Sequence, residues 1–316
     1  MRAVTVNEFG PPSVATVSEI ETPKKLSAEV LIDVRAAGLN PIDAKTRAGG
    51  GVAAGIQAFP WVPGNDFAGT IREAVYEHHD LKVGDAVYGI ANPARMLGSF
   101  AEVVAVSSLS IARKPETLSF VEAAAVPVAG LTAWDAIVRV ARAHSGQRVL
   151  IHAAAGGVGH FAVQFARYFG AHVIGTASGK NLDFVRSLGA NEVVDYKTER
   201  FEEVVDKVDV VLDLIGNVHD DTGSRSLNVL RQGGLYINVP TGSWPEYAEA
   251  AKAAQVRATG VKVEPDGANL SIISRLIDAG DVKVEVASVL PMDEAAQAFE
   301  TLEAGHVRGK LVLKVA

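Results

Sequence analysis

The segment from Val149 to Ser178 reads VLIHAAAGGVGHFAVQFARYFGAHVIGTAS and constrains the fold more than any other part of the chain. Apolar residues at Val149–Ile151 lead into a turn of small residues, and apolar side chains then recur at helical spacing up to about Phe169. A second β-rich run begins at His172. Strand, glycine-rich turn, amphipathic helix and strand in this order predict a βαβ unit that binds the pyrophosphate of a dinucleotide. A purely structural βαβ unit is the alternative.

Size and composition narrow the class of protein. The chain has 316 residues, which predicts two domains, and its net charge is −7 with no run of basic residues, which disfavours binding to nucleic acid. It contains no cysteine, which excludes disulfides, Cys-based zinc sites, iron–sulfur clusters and a thiol nucleophile. We find no apolar stretch long enough to cross a membrane and no apolar signal-peptide segment at the start, so we expect no membrane partner and a cytoplasmic location.

The order of predicted strands and helices differs between the first third of the chain and the part after Arg148. The first third has short β segments separated by Gly/Pro turns, which predicts a partly closed antiparallel β domain. From Arg148 onward, six predicted strands alternate with helices, which predicts an α/β domain with a doubly wound parallel sheet. The final β segment, Leu311–Val315, has no place in that alternation, and we expect it to return to the β domain. The predicted strands of the parallel sheet begin at Val149, His172, Glu192, Val208, Gly234 and Arg257.

Several ordered motifs show a family resemblance. They include GLNPIDAKTRAG at 38–49, PGNDFAG at 63–69, AAAVPVAGLTAW at 123–134 and RGKLVLKV at 308–315, together with the glycine-rich turn. The chain resembles the medium-chain dehydrogenase/reductase superfamily, specifically its zinc-free quinone oxidoreductase branch. The resemblance implies a GroES-like β domain (residues 1–121 and 265–316), an inserted Rossmann domain (122–264) and an active-site cleft between them. It also implies a homodimer formed through the sheet edge, placed here near 236–241.

Zinc-dependent members of the superfamily hold a catalytic zinc with Cys, His and Cys and a nearby Glu. The resemblance places these positions on Asn40, Asn65, Val128 and Asp66. Amides bind zinc poorly and valine does not bind it, so we expect no metal. The hydroxyl residue that relays a proton in the zinc enzymes is replaced by Ile42. Reduction of an acceptor that needs neither a metal nor a proton relay, such as a quinone, is therefore favoured over oxidation of a simple alcohol.

The end of the second predicted strand indicates the cofactor. NAD-preferring domains carry an acid there, whereas this chain has Ser178 and Lys180, which suit a 2′-phosphate and predict NADPH. An exposed lysine at a helix start is the alternative for Lys180. The resemblance adds Tyr196 as a third contact of the phosphate. We also expect Lys310, on the returning tail, to reach the cofactor. The remaining candidate cofactor residues lie in the glycine-rich turn or at strand ends: Ala154, Gly156, Gly157, Val158, Gly159, Gly216, Val239 and Pro240.

Five residues are candidates on the substrate side. The resemblance implies nicotinamide or carbonyl contacts for Asn40 and Thr132, the two candidate catalytic residues; a turn asparagine and a helix-capping hydroxyl are their alternatives. We expect Asp43, Trp61 and Asn65 to line the substrate site. A hydrogen bond within its own loop is the alternative for Asp43, and ordinary packing is the alternative for Trp61.

Three functions remain open from the sequence. The first is an NADPH-dependent quinone reductase, and the second is a reductase of the C=C bond of small α,β-unsaturated carbonyls. Relatives that reduce enoyl thioesters carry a tyrosine where this chain has Gly49–Gly51, which counts against that branch but not against smaller enones. The third, of another class, is a non-catalytic NADPH-binding protein.

Overall fold

The structure is a computed structural model that describes residues 1–92 and 97–316. The chain divides into two compact units. The β unit comprises Met1–Leu131, Glu264–Gly280 and Val284–Ala316, and the nucleotide unit comprises Thr132–Val263 and Asp281–Lys283. The domain boundaries after residues 121 and 264 remain a prediction.

The strands and helices are numbered in chain order. The strands are β1 (Arg2–Val6), β2 (Ala15–Glu19), β3 (Glu29–Gly38), β4 (Asp66–Glu73), β5 (Ala86–Ile90), β6 (Val103–Ser107), β7 (Ile111–Arg113), β8 (Arg148–Ile151), β9 (His172–Ala177), β10 (Glu192–Asp195), β11 (Val208–Asp213), β12 (Leu230–Asn238), β13 (Arg257–Gly260), β14 (Val286–Pro291) and β15 (Lys310–Lys314). The helices are α1 (Pro41–Arg47), α2 (Phe120–Ala124), α3 (Pro127–Trp134), α4 (Gly159–Tyr168), α5 (Leu182–Ser187), α6 (Phe201–Val204), α7 (Thr222–Leu227), α8 (Tyr247–Ala253), α9 (Gly267–Asp278) and α10 (Ala295–Glu303).

The main sheet of the β unit has the order β14-β15-β3-β4-β5-β7, with β6 also paired to β3, and β1 and β2 form a separate two-stranded antiparallel sheet. The pairs are antiparallel except for β14 with β15. Alternate residues of the long strand β3, such as Val30, Ile32 and Val34, are buried in the apolar core, which is the period of two expected of a strand with one buried face. β15 pairs with β3 and brings the C-terminal segment into this sheet.

The nucleotide unit contains a parallel sheet with the order β10-β9-β8-β11-β12-β13. This order confirms the predicted doubly wound α/β fold. The chain reverses direction across the sheet between β8 and β11, which is where ligands bind in open sheets of this kind. Helix α4 covers β8 and β9 with a face that includes Phe161, Phe165 and Ala166, all fully buried.

Some element bounds differ from the sequence-based prediction. Helix α3 begins at Pro127, and the chain continues as a π-helical segment over Asp135–Val140. Strand β12 begins at Leu230 instead of Gly234. Because β13 pairs with β12 and forms the edge of the sheet, the prediction that this edge lies near residues 236–241 is wrong.

Within the described ranges, none of the helices is both long and apolar enough to span a bilayer.

Candidate active site

The glycine-rich turn connects the carboxyl end of β8 to the start of α4. Gly156 N donates to Ala153 O at 2.9 Å, and Ala154 N donates to Thr176 O at 2.9 Å, which anchors the turn to β9. A Cβ on Gly159 would lie 2.2 Å from Ala153 O, so this position requires glycine. The first N–H groups of a helix have no intrahelical acceptor and attract phosphate. The residues of this turn therefore fit a dinucleotide pyrophosphate.

Asp213, the last residue of β11, holds the loops that follow β11 and β12. Its Oδ1 accepts hydrogen bonds from Ile215 N at 2.7 Å and Gly216 N at 2.9 Å, and its Oδ2 accepts one from the Tyr236 hydroxyl. Val239 N donates to Asp213 O at 3.1 Å. The carboxylate of Asp213 thus fixes Gly216, and its backbone carbonyl holds Val239. Both contacts lie at the carboxyl ends of β11 and β12, the end of the sheet at which the glycine-rich turn also lies.

Three residues predicted to bind a 2′-phosphate lie after the carboxyl ends of the neighbouring strands β9 and β10. Ser178 follows β9 directly and Tyr196 follows β10, and the last residues of these strands, Ala177 and Asp195, are register partners. Lys180 lies in the short 3-10 helix after Ser178. Ser178 is buried, whereas Lys180 and Tyr196 are exposed. The arrangement gives one fixed hydroxyl and two side chains free to move onto a ligand.

The β unit contains a buried polar cluster formed by Asn40, Asp43, Asn65, Asp66 and Lys310. Asp66, the first residue of β4, is fully buried. One of its carboxylate oxygens accepts from Asn40 Nδ2 at 2.9 Å and lies 3.2 Å from Lys310 Nζ. The other accepts from the backbone N–H of Val128 at 2.7 Å. Lys310 Nζ also donates to Leu39 O at 2.6 Å and to Asn40 Oδ1.

Asp43 forms the second carboxylate of the cluster. Its Oδ2 accepts from Asn40 N at 2.9 Å, which caps α1, and its Oδ1 accepts from Asn65 Nδ2. Burial, with the nearby Asp66 carboxylate as the second cause, raises the pKa of Asp43 to about 7. Burial also raises the pKa of Asp66, and the positive charge of Lys310 opposes that change. The hydrogen bond from Asn40 N is the contact within its own loop that was the alternative to a substrate contact for Asp43.

The residues at the four zinc-related positions do not fit a zinc ion. Asn40 and Asn65 direct amide N–H groups at carboxylates, Val128 directs its backbone N–H at Asp66, and Asp66 is paired with the ammonium of Lys310. A zinc ion needs lone pairs from nitrogen, sulfur or oxygen. Over residues 1–92 and 97–316, no group of three or more His, Cys, Asp or Glu side chains has the arrangement of a metal site.

Two predicted residues have surroundings that differ from their predicted roles. Trp61 is fully inaccessible and packs in the core of the β unit, which is the packing alternative and not a substrate contact. Lys310 is 4% exposed, and its ammonium already donates to three oxygens of the polar cluster, so the predicted reach to the cofactor is wrong. Thr132 is buried in α3. Sequence reasoning missed the pairing of Lys310 with Asp66, for which a lysine opening an apolar strand was the only signal.

Comparison with known proteins identifies the family. The profile described as "Alcohol dehydrogenase GroES-like domain" matches residues 27–116, and the one described as "Zinc-binding dehydrogenase" matches 188–313. The NADPH-dependent alkenal/one oxidoreductase of Arabidopsis thaliana, a chloroplastic protein, is 34% identical over 325 residues, which cover 99% of this chain and 79% of the relative. The chain belongs to the medium-chain dehydrogenase/reductase superfamily.

Solved structures place it within that superfamily. The quinone oxidoreductase from Coxiella burnetii has a TM-score of 0.94 and 39% identity, covering 100% of this chain and 99% of the other. The Escherichia coli quinone oxidoreductase complexed with NADPH has a TM-score of 0.88 and 27% identity, covering 100% of both chains. This medium-chain dehydrogenase/reductase therefore belongs to the zinc-independent branch, although one matching profile carries a zinc-binding description.

Proposed function

We propose that this protein is an NADPH-dependent, metal-independent oxidoreductase that transfers hydride to a quinone. The observation that carries the proposal is the buried polar cluster. Two amides, a valine and an aspartate that is paired with Lys310 stand at the positions at which zinc enzymes of the superfamily bind their metal. Bound NADPH supplies the hydride, and the acceptor must be one that needs no Lewis acid.

The residues of the nucleotide unit bind and orient the cofactor. The turn Ala154–Gly159 holds the pyrophosphate with backbone N–H groups, and Gly216, Val239 and Pro240 line the neighbouring strand ends. Ser178 and Tyr196 donate hydrogen bonds to the 2′-phosphate, and Lys180 contributes a positive charge. Thr132 contacts the nicotinamide side of the cofactor. The preference for NADPH rests on the absence of an acid between Ser178 and Lys180.

Asn40 stabilises the acceptor as hydride arrives. A carboxamide has two N–H donors, and the contact with Asp66 uses one of them. The other donates to the acceptor oxygen, on which negative charge develops during reduction. Lys310 polarises this amide, because its ammonium bonds to Asn40 Oδ1 and draws electron density away from the nitrogen. Asn65 and Asp43 complete the substrate side, and a quinone oxygen takes its proton from water.

Reduction of a small α,β-unsaturated carbonyl is the second candidate function. The Arabidopsis thaliana relative is named as an alkenal/one oxidoreductase. An enone accepts hydride at its β carbon and develops negative charge on the carbonyl oxygen, so the same Asn40 donor would serve it. Unlike a quinone, the enone also needs a proton at its α carbon.

Steady-state kinetics with two acceptor classes test the proposal. NADPH oxidation is followed with benzoquinone or phenanthrenequinone and with a 2-alkenal or a small cyclic enone, and each assay is repeated with NADH. We expect kcat/KM to be higher for the quinones than for the enones, and higher with NADPH than with NADH. A preference for enones would select the second candidate. Tight NADPH binding without turnover of any acceptor would favour a non-catalytic binding protein.

We also propose that the protein is a cytoplasmic homodimer in which β13, the edge strand of the parallel sheet, pairs with its counterpart. An edge strand carries unpaired backbone groups that a second copy can satisfy. Val261 N donates to Asn238 O of β12, so by alternation Ala258 directs its backbone N–H toward the open edge. Sedimentation velocity of the wild-type chain and of A258P tests the interface. Proline removes a backbone donor and should shift a dimer toward monomer.

A further inference from the structure

A cavity of about 560 Å³ lies wholly within the nucleotide unit, at the end of the sheet opposite the glycine-rich turn. Gln147 precedes β8, Asp209 and Arg231 are the second residues of β11 and β12, and Arg257 is the first residue of β13. The dinucleotide turn follows the other end of β8. The cavity therefore lies at the amino ends of the parallel strands and is separate from the candidate cofactor site.

Arginine side chains dominate the charge of this cavity. Arg139, Arg142, Arg231 and Arg257 line it together with one carboxylate, that of Asp209. They come from the π-helical segment, the loop after it and two strands, in a chain whose net charge is −7. Guanidinium groups that converge from separate elements bind carboxylate or phosphate through paired hydrogen bonds.

The arginines are partly held in place. Arg231 Nη1 donates to Asp209 Oδ1 at 2.7 Å, and Arg257 Nε donates to Gly233 O at 3.0 Å. Arg139 Nη1 donates to Asp135 at 3.0 Å. Asp209 and Asp135 offset two of the four positive charges, and at least two charges remain available to an anion.

A buried amide gives the cavity a second chemical feature. Gln147 is 8% exposed, and its Nε2 donates to Ala141 O at 3.3 Å. Its Oε1 has no hydrogen-bond partner among the described residues. A buried acceptor without a donor is costly, and a ligand hydroxyl that donated to Gln147 Oε1 would remove that cost.

We propose that this cavity binds a small organic polyanion that also carries a hydroxyl group. The carboxylates or phosphates of the ligand pair with the arginines, chiefly Arg142 and Arg257, and its hydroxyl donates to Gln147 Oε1. The volume is that of a site for a small metabolite. Hydroxypolycarboxylates and sugar phosphates share this chemistry.

Isothermal titration calorimetry of the full chain tests the proposal with three probes. Citrate and tricarballylate carry the same three carboxylates, and only citrate has a hydroxyl; fructose bisphosphate represents the phosphate class. We expect citrate or fructose bisphosphate to bind with a Kd of about 1 mM or tighter. Citrate should bind roughly tenfold more tightly than tricarballylate, because only citrate satisfies Gln147. The tighter of citrate and fructose bisphosphate identifies the class of anion.

Variants connect binding to the named residues. R142Q/R257Q should weaken citrate binding at least roughly tenfold, and Q147L should remove the difference between citrate and tricarballylate. R275Q changes an exposed arginine of the β unit and serves as the control that leaves binding unchanged. The proposal is overturned if no probe binds, or if R142Q/R257Q binds citrate as well as the wild type does while its unfolding midpoint is unchanged.

Discussion

The ammonium of Lys310 lies 3.2 Å from Asp66 Oδ2, and both side chains are almost completely inaccessible to solvent. Removing one member of a buried ion pair leaves the other charge uncompensated, which costs about 3–5 kcal/mol. K310M should therefore lower the free energy of unfolding by an amount in this range, measured by urea denaturation. K314M, at the exposed end of the same strand, should change it by less than about 0.5 kcal/mol.

A double-mutant cycle separates the pair from its surroundings. D66N removes the carboxylate charge, so K310M/D66N should be more stable than the sum of the two single changes implies, with a coupling of about 1 kcal/mol or more. Strictly additive effects would show that the ion pair does not act as a unit.

Asp43 should make stability depend on pH. Its pKa is raised from 3.8 to about 7, so the native state holds this proton more tightly than the unfolded chain does. The free energy of unfolding contributed by Asp43 therefore falls as the pH rises from about 4 to about 7 and is level above that range. In D43N this contribution is absent. The stability of D43N relative to the wild type should consequently increase between about pH 4 and about pH 7.

The measurement is urea denaturation at several pH values. D183N, which removes a carboxylate at an exposed position of α5, is the matched control and should keep a constant difference from the wild type. A constant difference for D43N as well would mean that Asp43 is ionised throughout this range.

Two glycines of the dinucleotide turn should respond differently to alanine. A Cβ on Gly159 would lie 2.2 Å from Ala153 O and 2.8 Å from Ala154 Cα, whereas on Gly156 its nearest neighbour would be Ala153 O at 3.2 Å. G159A should therefore unfold at a clearly lower temperature. G156A should fold normally and bind NADPH more weakly, because the methyl group narrows the approach of the phosphate. Differential scanning fluorimetry with and without NADPH distinguishes these outcomes, and equal melting temperatures for the two variants would contradict the geometry.

Lys180 tests the cofactor preference. It is exposed beside the end of β9, so K180A should leave the fold intact. Loss of a charge-assisted phosphate contact should lower kcat/KM for NADPH at least roughly tenfold and leave that for NADH unchanged. K252A, an exposed lysine on α8, is the control. If the ratio of kcat/KM for NADPH to kcat/KM for NADH is the same in K180A as in the wild type, Lys180 does not contribute to the cofactor preference.

Local patterns were sufficient to predict the parallel sheet and the place of its glycine-rich turn. The alternation of strands and helices from Arg148 depends on residues close in sequence. So does the capping box at the start of α2, in which Ser119 and Glu122 exchange hydrogen bonds. The lysine–aspartate pair was not predictable, because Asp66 and Lys310 are brought together only when β15 joins the sheet beside β3. The arginine cavity was missed for the same reason, since its four arginines are scattered over three regions of the sequence.

The candidate site residues also differ in whether local sequence or tertiary packing determines their surroundings. Ser178 was predicted from the end of the second strand and Tyr196 from the family resemblance, and the pairing of β9 with β10 places the ends of these two strands side by side. Trp61 was expected to line the substrate site, but its ring is fully buried. A sequence pattern gives the loop to which an aromatic residue belongs, whereas burial of its ring depends on tertiary packing.

The most direct test of the central claim is quinone reduction by protein freed of metal. The purified chain is treated with a chelator, its zinc content is measured, and NADPH oxidation with phenanthrenequinone is compared before and after treatment. We predict that kcat/KM is unchanged in protein with far less than one zinc per chain. Stoichiometric zinc in the untreated protein, with activity lost on chelation and restored by added zinc, would contradict the account.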